Sequence, residues 1–277
     1  MSLSNASFEF VRTLLRERSG HYLEADKVYL VETRLLPLTR RYGCASVEEL
    51  VSRLRGRRNE KLLTELVEAM AINETFFFRD TRSFEILRQT ILPELMRRRA
   101  DVRCLNIWSA ACSSGQEAYS VALLLRHYFP GLPGWSIRLL GSDLSAVALE
   151  RARQGRYSEL EVSRGLPDEI LEVYFQRQGD GWQIADDIRR MVEFLPINLN
   201  GVWPEFAPLD LVLLRNVLIY FDLPTKQQIL NRVHRVLHPD GYLMLGGAET
   251  THNLHVDFVP ISFEQVSFFR VRNSQDG

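Results

Sequence analysis

Cysteine is scarce in this chain. Only Cys44, Cys104 and Cys112 occur in 277 residues, far apart and without a C-x-x-C pair. That pattern excludes a disulfide framework and a cysteine zinc site, and it points to a reducing compartment. A dominant charge is missing too: 34 Lys and Arg stand against 35 Asp and Glu, a formal net charge of −1. Nucleic-acid binding, which usually shows as a basic domain, is not expected. No apolar run approaches membrane-spanning length, and Met1-Ser2-Leu3-Ser4-Asn5 lacks a basic-then-apolar leader. A cytoplasmic protein without membrane insertion is the expectation. Repeats and low-complexity tracts are absent as well. What remains is the composition of an ordinary globular protein, long enough for one large domain or two smaller ones.

The opening stretch carries helical periodicity and no strand pattern. Phe8, Val11, Leu14 and Leu15 recur at helical spacing behind a candidate N-cap at Ser4 or Asn5. A second helix is expected from Asp26 toward Tyr42, stopped by Gly43 and kinked or divided at Pro37. Ser46-Val47-Glu48-Glu49 resembles a capping box opening a third helix, and Asn59 to Met70 reads as a fourth. Residues 1–70 are therefore expected to form a small all-helical domain, followed by a linker at 71–85. One further helix is predicted over Ser83–Arg99. Beyond it strands alternate with helices. Strands are expected at Val102–Trp108, Ile137–Ser142, Met191–Leu195, Leu209–Leu214, Gly241–Leu245 and Phe263–Val271, with helices at Gly115–Tyr128, Ala146–Arg153 and Pro224–Leu237. That alternation predicts an α/β domain over 86–277: a doubly wound, mostly parallel sheet covered on both faces.

Between the two lies Asn73-Glu74-Thr75-Phe76-Phe77-Phe78-Arg79-Asp80. Consecutive phenylalanines cannot share one side of a helix or strand, so burying them needs contacts in several directions. The segment reads either as a plug between packed units or as backbone crossing a pocket, with polar Asn73, Thr75 and Arg79 on one side.

The first strand of the sheet runs into Ser109-Ala110-Ala111-Cys112-Ser113-Ser114-Gly115-Gln116-Glu117, where a doubly wound fold brings a nucleotide-like ligand to the backbone. The loop holds one glycine, not G-x-G-x-x-G. A ligand without a pyrophosphate, such as S-adenosylmethionine, fits better than a dinucleotide. Glu117 suits either a ligand ammonium or the helix macrodipole. Asp143, ending the second strand about 25 residues past the loop, is placed to accept both ribose hydroxyls; its alternative is an N-cap, which Ser145 could equally fill. Asn198 could meet an adenine edge or simply build a turn. Arg215 and Asn216 directly follow a buried strand, and a buried arginine needs partners. No Asp/Asn-Pro-Pro-Tyr follows that strand, which argues against methylation of base amines.

Taken together, Asn-x-Thr-x-x-x-Arg at 73–79, Trp108-Ser109-Ala110-Ala111 with Ser114-Gly115-x-Glu117, Gly141-x-Asp143, Asn198-Leu199 and Arg215-Asn216-Val217-x-Ile219-Tyr220-Phe221-Asp222 resemble the chemotaxis receptor methyltransferases of the CheR family. The likeness spans nearly the whole chain, with the motifs in the family's order. It implies a Rossmann-like class I methyltransferase domain. It also implies that Asn73, Thr75, Arg79, Glu117, Asp143, Asn198, Leu199, Arg215 and Asn216 line an S-adenosylmethionine site. By the same resemblance the acceptors are glutamate side chains on helical cytoplasmic domains of chemoreceptors, which become γ-methyl esters with S-adenosylhomocysteine as co-product.

The chemistry suits these residues. A glutamate carboxylate, with a pKa of about 4.3, is already ionised at neutral pH and needs no general base. Alignment and water exclusion suffice. Arg79 and Tyr220 are the candidate catalytic residues, the first holding the carboxylate and the second orienting it or the donor; the phenylalanines could favour the sulfonium. No metal is expected. Lys27, Arg34, Arg40 and Arg41, followed by Arg53, Arg55, Arg57 and Arg58, offer a basic face for acidic receptor helices, with Arg34, Arg40 and Arg41 the candidate substrate contacts. Gln178-Gly179-Asp180-Gly181-Trp182 signals a hairpin within a β insert at 175–193. The insert resembles one that in some family members binds a receptor-tethered peptide, and it looks shorter here, so peptide independence is expected, as is a monomer. Two other readings fit the same motifs: a methyltransferase acting on another carboxylate or small molecule, and a non-catalytic module responding to S-adenosylmethionine.

Overall fold

The computed structural model describes residues 3–56, 59–263 and 266–272. Four helices open the chain: α1 (Asn5–Ser19), α2 (Val28–Arg41), α3 (Val47–Gly56) and α4 (Glu60–Met70). Ser4 caps α1 by accepting from the Ser7 N–H, and Gly20 ends it in the left-handed conformation. The apolar faces meet in a core of their own around Phe8, Val11, Leu15, Val31, Leu35, Leu50 and Leu66. Each such burial stabilises by roughly 1.5–3 kcal/mol. Pro37 does not divide α2, which runs through it. The proline is exposed, so its lost hydrogen bond leaves a carbonyl that water can reach.

The helix expected over Ser83–Arg99 is three pieces: α5 (Thr81–Ile86), a π turn (Leu87–Ile91) and α6 (Leu92–Arg98). Pro93 explains the break. It lacks an N–H and its ring would collide with the carbonyl four residues back, which lies in the widened turn.

From there strands and helices alternate: β1 (Cys104–Ala110), α7 (Gln116–Tyr128), β2 (Ser136–Asp143), α8 (Ala146–Gln154), β3 (Arg156–Ser158), α9 (Glu159–Ser163), α10 (Asp168–Tyr174), β4 (Phe175–Gln178), β5 (Gly181–Ile184), α11 (Asp186–Arg189), β6 (Val192–Pro196), β7 (Leu209–Leu214), a 3-10 turn (Leu218–Tyr220), α12 (Leu223–Val236), β8 (Leu237–Leu245), β9 (Phe258–Phe263) and β10 (Val266–Val271). The main sheet is seven-stranded in the order β6-β2-β1-β7-β8-β10-β9. Its first five strands are parallel and β10 is antiparallel to both neighbours. The chain winds outward from β1 to β6, then returns to β7 on β1's other side. The switch point thus falls at the carboxyl end of β1, where a doubly wound sheet opens a crevice. The first strand begins two residues later than its apolar run, because Val102 lies exposed outside the sheet.

A second sheet holds β3, β5 and β4. The expected hairpin is β4–β5, and β3, which carried no clear strand signal, pairs with the other edge of β5. The phenylalanine run meets this sheet. Phe77 packs edge-to-face on Tyr157 at 5.0 Å and Phe175 at 5.6 Å, and Phe78 on Phe84 at 5.4 Å. A Cβ at Gly165 would stand 2.2 Å from the Phe77 carbonyl oxygen, so only glycine admits this close approach. Contacts in several directions are therefore present, but they plug the α/β core rather than sealing it to the helices. Different groups join the helical unit to the sheet. The Tyr22 N–H donates to the Tyr220 carbonyl at 2.8 Å, the Asn198 amide donates to the Arg18 carbonyl at 2.6 Å, and Arg16 pairs with Asp222 at 2.9 Å.

Candidate active site

A cleft opens at the carboxyl ends of β1, β2, β6 and β7. Ala111, Ser113, Glu117, Asp143, Leu144, Ile197, Asn198, Leu199, Arg215, Asn216, Tyr220 and Phe221 line it from the sheet. Ser19, His21, Val67, the stretch 71–75 and Arg79 close it from the helices and the connector. All nine residues expected to line a cofactor site, and Tyr220, meet in this one cleft. The phenylalanines at 76–78 do not line it. Phe76 instead lies beneath two guanidinium groups, Arg164 at 4.2 Å and Arg79 at 5.5 Å from its ring centroid. The aromatic wall is His21, Tyr220 and Phe221.

The loop after β1 is shaped by its backbone. Ala111 and Ser113 are left-handed, with φ of 56° and 51°, and Gly115 follows at 92°. Such torsions cost about 1 kcal/mol or more at a residue bearing a Cβ, and they concentrate where function over-determines geometry. The turn aims the Ser113 N–H at Asp143 Oδ2, 2.8 Å away, while the Ser145 N–H reaches Oδ1 at 2.9 Å. Ser145 takes the cap of α8, accepting from the Ala148 N–H. Asp143 is left as a buried acid on the cleft wall, with acceptor capacity beyond its bonds to backbone N–H groups. Burial pushes its carboxyl up, opposed by the hydrogen bonds from Ser145 and Ser113.

Glu117 sits in the first turn of α7, but it is not free. Its Oε1 accepts from Ser109 Oγ at 2.8 Å and its Oε2 faces Arg215 Nη1 at 3.1 Å. Burial raises its carboxyl, with Arg215 the main opposing influence. The Arg215 side chain is wholly buried. Its Nη2 donates to the Arg79 carbonyl at 2.8 Å and to the Asp80 carboxylate, and its guanidinium lies over the Phe84 ring. Its Nε has no partner. A buried arginine between two carboxylates is held by both and orders both.

At the other end, Arg79 is half-exposed and donates to the Glu74 carbonyl at 3.2 Å. Tyr220 ends the 3-10 turn and meets the His21 ring edge-to-face at 5.6 Å. Burial raises the Tyr220 phenol, so it stays protonated at neutral pH and can donate. The His21 imidazole is pushed down to about 4 by burial and then by Arg34, leaving it neutral. Asn198 faces the cleft with its amide already engaged, donating to Arg18 and accepting from the Asn200 N–H at 2.9 Å. The Asn73 carbonyl accepts from Ser113 Oγ at 2.9 Å, tying the connector to the β1–α7 loop.

The basic face behaves differently from expectation. Arg34 donates from Nη1 to the Met70 and Ala71 carbonyls and so caps the end of α4. Arg41 pairs with Glu65 at 3.1 Å and Arg53 donates to the Tyr42 carbonyl at 2.9 Å. Arg40 is exposed. Arg57 and Arg58 lie outside the described residues. Sequence reasoning missed His21, Asp80 and Glu249. His21 reaches Tyr220 across 199 positions, a contact no local pattern announces. Glu249 did leave a signal: Gly246-Gly247-Ala248-Glu249 follows a buried strand as an acid after a glycine pair.

The donor set fits S-adenosylmethionine. Asp143 offers acceptor capacity for a ribose diol, Ile197, Leu199 and Leu144 give an apolar slot, and Glu117 places negative charge near a positively charged ligand. With the sheet order above, cleft and fold define a class I S-adenosylmethionine-dependent methyltransferase. Residues 73–266 match the family model "CheR methyltransferase, SAM binding domain" and residues 6–71 match "CheR methyltransferase, all-alpha domain". The chain is 42% identical over 258 residues to Chemotaxis protein methyltransferase 1 of Pseudomonas aeruginosa, covering 92% of this chain and 93% of that protein. It is 39% identical to Chemotaxis protein methyltransferase Cher2 of Pseudomonas putida, covering 92% and 94%. A chemotaxis protein methyltransferase of Vibrio parahaemolyticus is 37% identical, covering 92% of each. The chain belongs to the CheR methyltransferase family.

Proposed function

We propose that the protein esterifies glutamate side-chain carboxylates on the cytoplasmic helical domains of chemoreceptors, using S-adenosylmethionine as methyl donor. The observation that carries this reading is the meeting of Arg79 and Tyr220, a fixed cation and a protonated phenol, in the cleft that holds Asp143 and Glu117. A cation and a donor suit an anionic acceptor. Bound S-adenosylmethionine supplies an electrophilic methyl whose transfer to a carboxylate oxygen returns the electron pair to sulfur. No proton moves. His21, the imidazole nearest Tyr220, is too weakly basic at neutral pH to serve as a general base, which agrees with an acceptor already ionised.

In this reading Asp143 holds the ribose, Glu117 attracts the positively charged donor, and Arg215 fixes Glu117 and the connector. Arg79 then pairs with the incoming carboxylate, and the Tyr220 hydroxyl orients it. Residues 1–70 act as the receptor-recognition domain, with Arg40 and Arg41 both exposed at the end of α2 and Arg41 paired with Glu65. The protein works in the cytoplasm without inserting into membranes. Purified receptor cytoplasmic fragments and small carboxylic acids, each incubated with methyl-labelled donor, test the reading. Label in the receptor fragment supports it; label only in small acids would assign another substrate.

A further inference from the structure

Glu249 lies outside the cleft, on the turn that follows β8. Its carboxylate gathers three backbone N–H groups from two separate segments. Oε2 accepts from Asn216 at 2.7 Å and Gly246 at 2.8 Å, and Oε1 accepts from Leu218 at 2.7 Å. The packing around it is close: a Cβ on Gly246 would stand 2.6 Å from Asn216 Nδ2 and 2.8 Å from Glu249 Oε2. Asn216 is left-handed, with φ of 56°, and Leu218 opens the 3-10 turn that ends at Tyr220. Both N–H groups therefore belong to backbone that does not hold itself in a regular ladder. Charge-assisted bonds of this kind are about twice as strong as neutral ones.

We propose that Glu249 is a positioning residue for methyl transfer: its carboxylate sets the 216–220 turn, aiming Asn216 at the cofactor and Tyr220 at the acceptor. The inference rests on the methyl-transfer reading of the cleft and adds the group that shapes its floor. Glu249 touches neither ligand. It acts through Asn216 toward the cofactor and through Tyr220 toward the acceptor, so its loss disturbs both together. Glutamine cannot replace it, because one oxygen serves at most one of the two sides. The other side then meets an NH2 that turns a donor toward N–H donors.

Glu249→Gln is compared with the wild type in three measurements. Hydrogen exchange of the 216–221 segment and calorimetric affinity for S-adenosylhomocysteine need no acceptor; turnover on a receptor fragment does. The expected result is faster exchange in 216–221, affinity weaker by about 10-fold, and kcat lower by about 100-fold, with KM for the fragment within about twofold, since docking on the helical domain is untouched. Glu249→Asp, which keeps the charge but is a methylene shorter, is expected to fall between the two and replaces the glutamine variant if that one does not fold. Unchanged affinity and kcat despite faster exchange would make Glu249 a structural tie only and overturn the proposal, as would unchanged exchange. A wild type that binds S-adenosylhomocysteine but methylates no receptor fragment counts against the acceptor reading alone. The exchange and affinity measurements then decide the role of Glu249.

Discussion

Arg215 and Glu117 form a buried ion pair, with guanidinium and carboxylate 3.1 Å apart, that joins the end of β7 to the first turn of α7. The same arginine reaches back to Asp80 and the Arg79 carbonyl. One side chain thus holds both the acid beside the ligand and the connector that carries the proposed acceptor cation. Removing Arg215 strands Glu117 in a low-dielectric site. Arg215→Ala is expected to lose roughly 3–5 kcal/mol, and Glu117→Gln, whose one amide oxygen can still accept from Arg215 while the Ser109 hydroxyl turns to accept from its NH2, about 1–3 kcal/mol. Urea unfolding of the two variants checks the order; equal losses would contradict it.

Arg79 and Phe77 are two residues apart yet separate function from stability. Phe77 is fully buried, so Phe77→Ala leaves a cavity costing roughly 3–5 kcal/mol. Arg79 is half-exposed, donates to the Glu74 carbonyl and lies over the Phe76 ring, two contacts at the protein surface. Arg79→Ala is expected to lower turnover by about 100-fold or more while the midpoint of thermal unfolding shifts by about 2 °C or less. Comparable losses of both would make Arg79 a structural residue.

His21 gives the fold a dependence on mild acid. Its folded pKa of about 4 lies below the ordinary 6.5, so between those values the unfolded chain binds a proton that the folded chain refuses. Stability from this group is full above pH 6.5 and falls as pH drops toward 4, by at most ~3 kcal/mol. His21→Phe keeps a ring against Tyr220 and removes the titration. Unfolding free energies at pH 7 and pH 4.5 are expected to differ less in this variant than in the wild type; an unchanged difference would contradict the assignment.

Asp240 provides the opposite sign. The hydrogen bond from Arg99 holds its carboxyl down to about 2, against an ordinary 3.8. Its contribution is present above pH 3.8 and is lost as pH falls through 2. Asp240 is about one-third exposed, so solvent screening reduces the effect. Asp240→Asn is expected to cost ~1 kcal/mol at pH 7 and almost nothing at pH 2, as differential unfolding curves would read.

Charge reversal at Arg40 separates docking from chemistry. Arg40→Glu is expected to raise the KM for receptor fragments several-fold, more at low salt than at high salt. S-adenosylhomocysteine affinity should stay within twofold, because the residue stands outside the cleft. An unchanged KM would remove this face from recognition.

Much of this architecture is legible in the residues. Period-2 and apolar runs mark the parallel strands, because a strand buried on both faces must be apolar along its length. The loop from Ser109 to Glu117 declares itself by small residues between strand and helix. What stays hidden depends on distance. Arg34 reads as one of a row of basic residues, and only folding brings the α4 carbonyls to it. The third strand of the small sheet, Arg156–Ser158, is too short for periodicity to speak. The phenylalanine run correctly announces contacts in several directions. It cannot announce that Tyr157 and Phe175 receive Phe77 or that Phe84 receives Phe78. Glu249 is the instructive miss: an acid after a glycine pair is visible, but its three N–H partners lie on two loops.

Methyl-ester formation on receptor glutamates is what separates this cleft from one serving another acceptor. The direct measurement incubates the protein with donor and a purified receptor cytoplasmic domain, then maps modified residues by mass spectrometry. Base-labile methyl groups are expected on glutamate side chains, reduced by about 100-fold or more in Arg79→Ala reactions. Methylation confined to other residue types, or none despite tight S-adenosylhomocysteine binding, would contradict the proposed function.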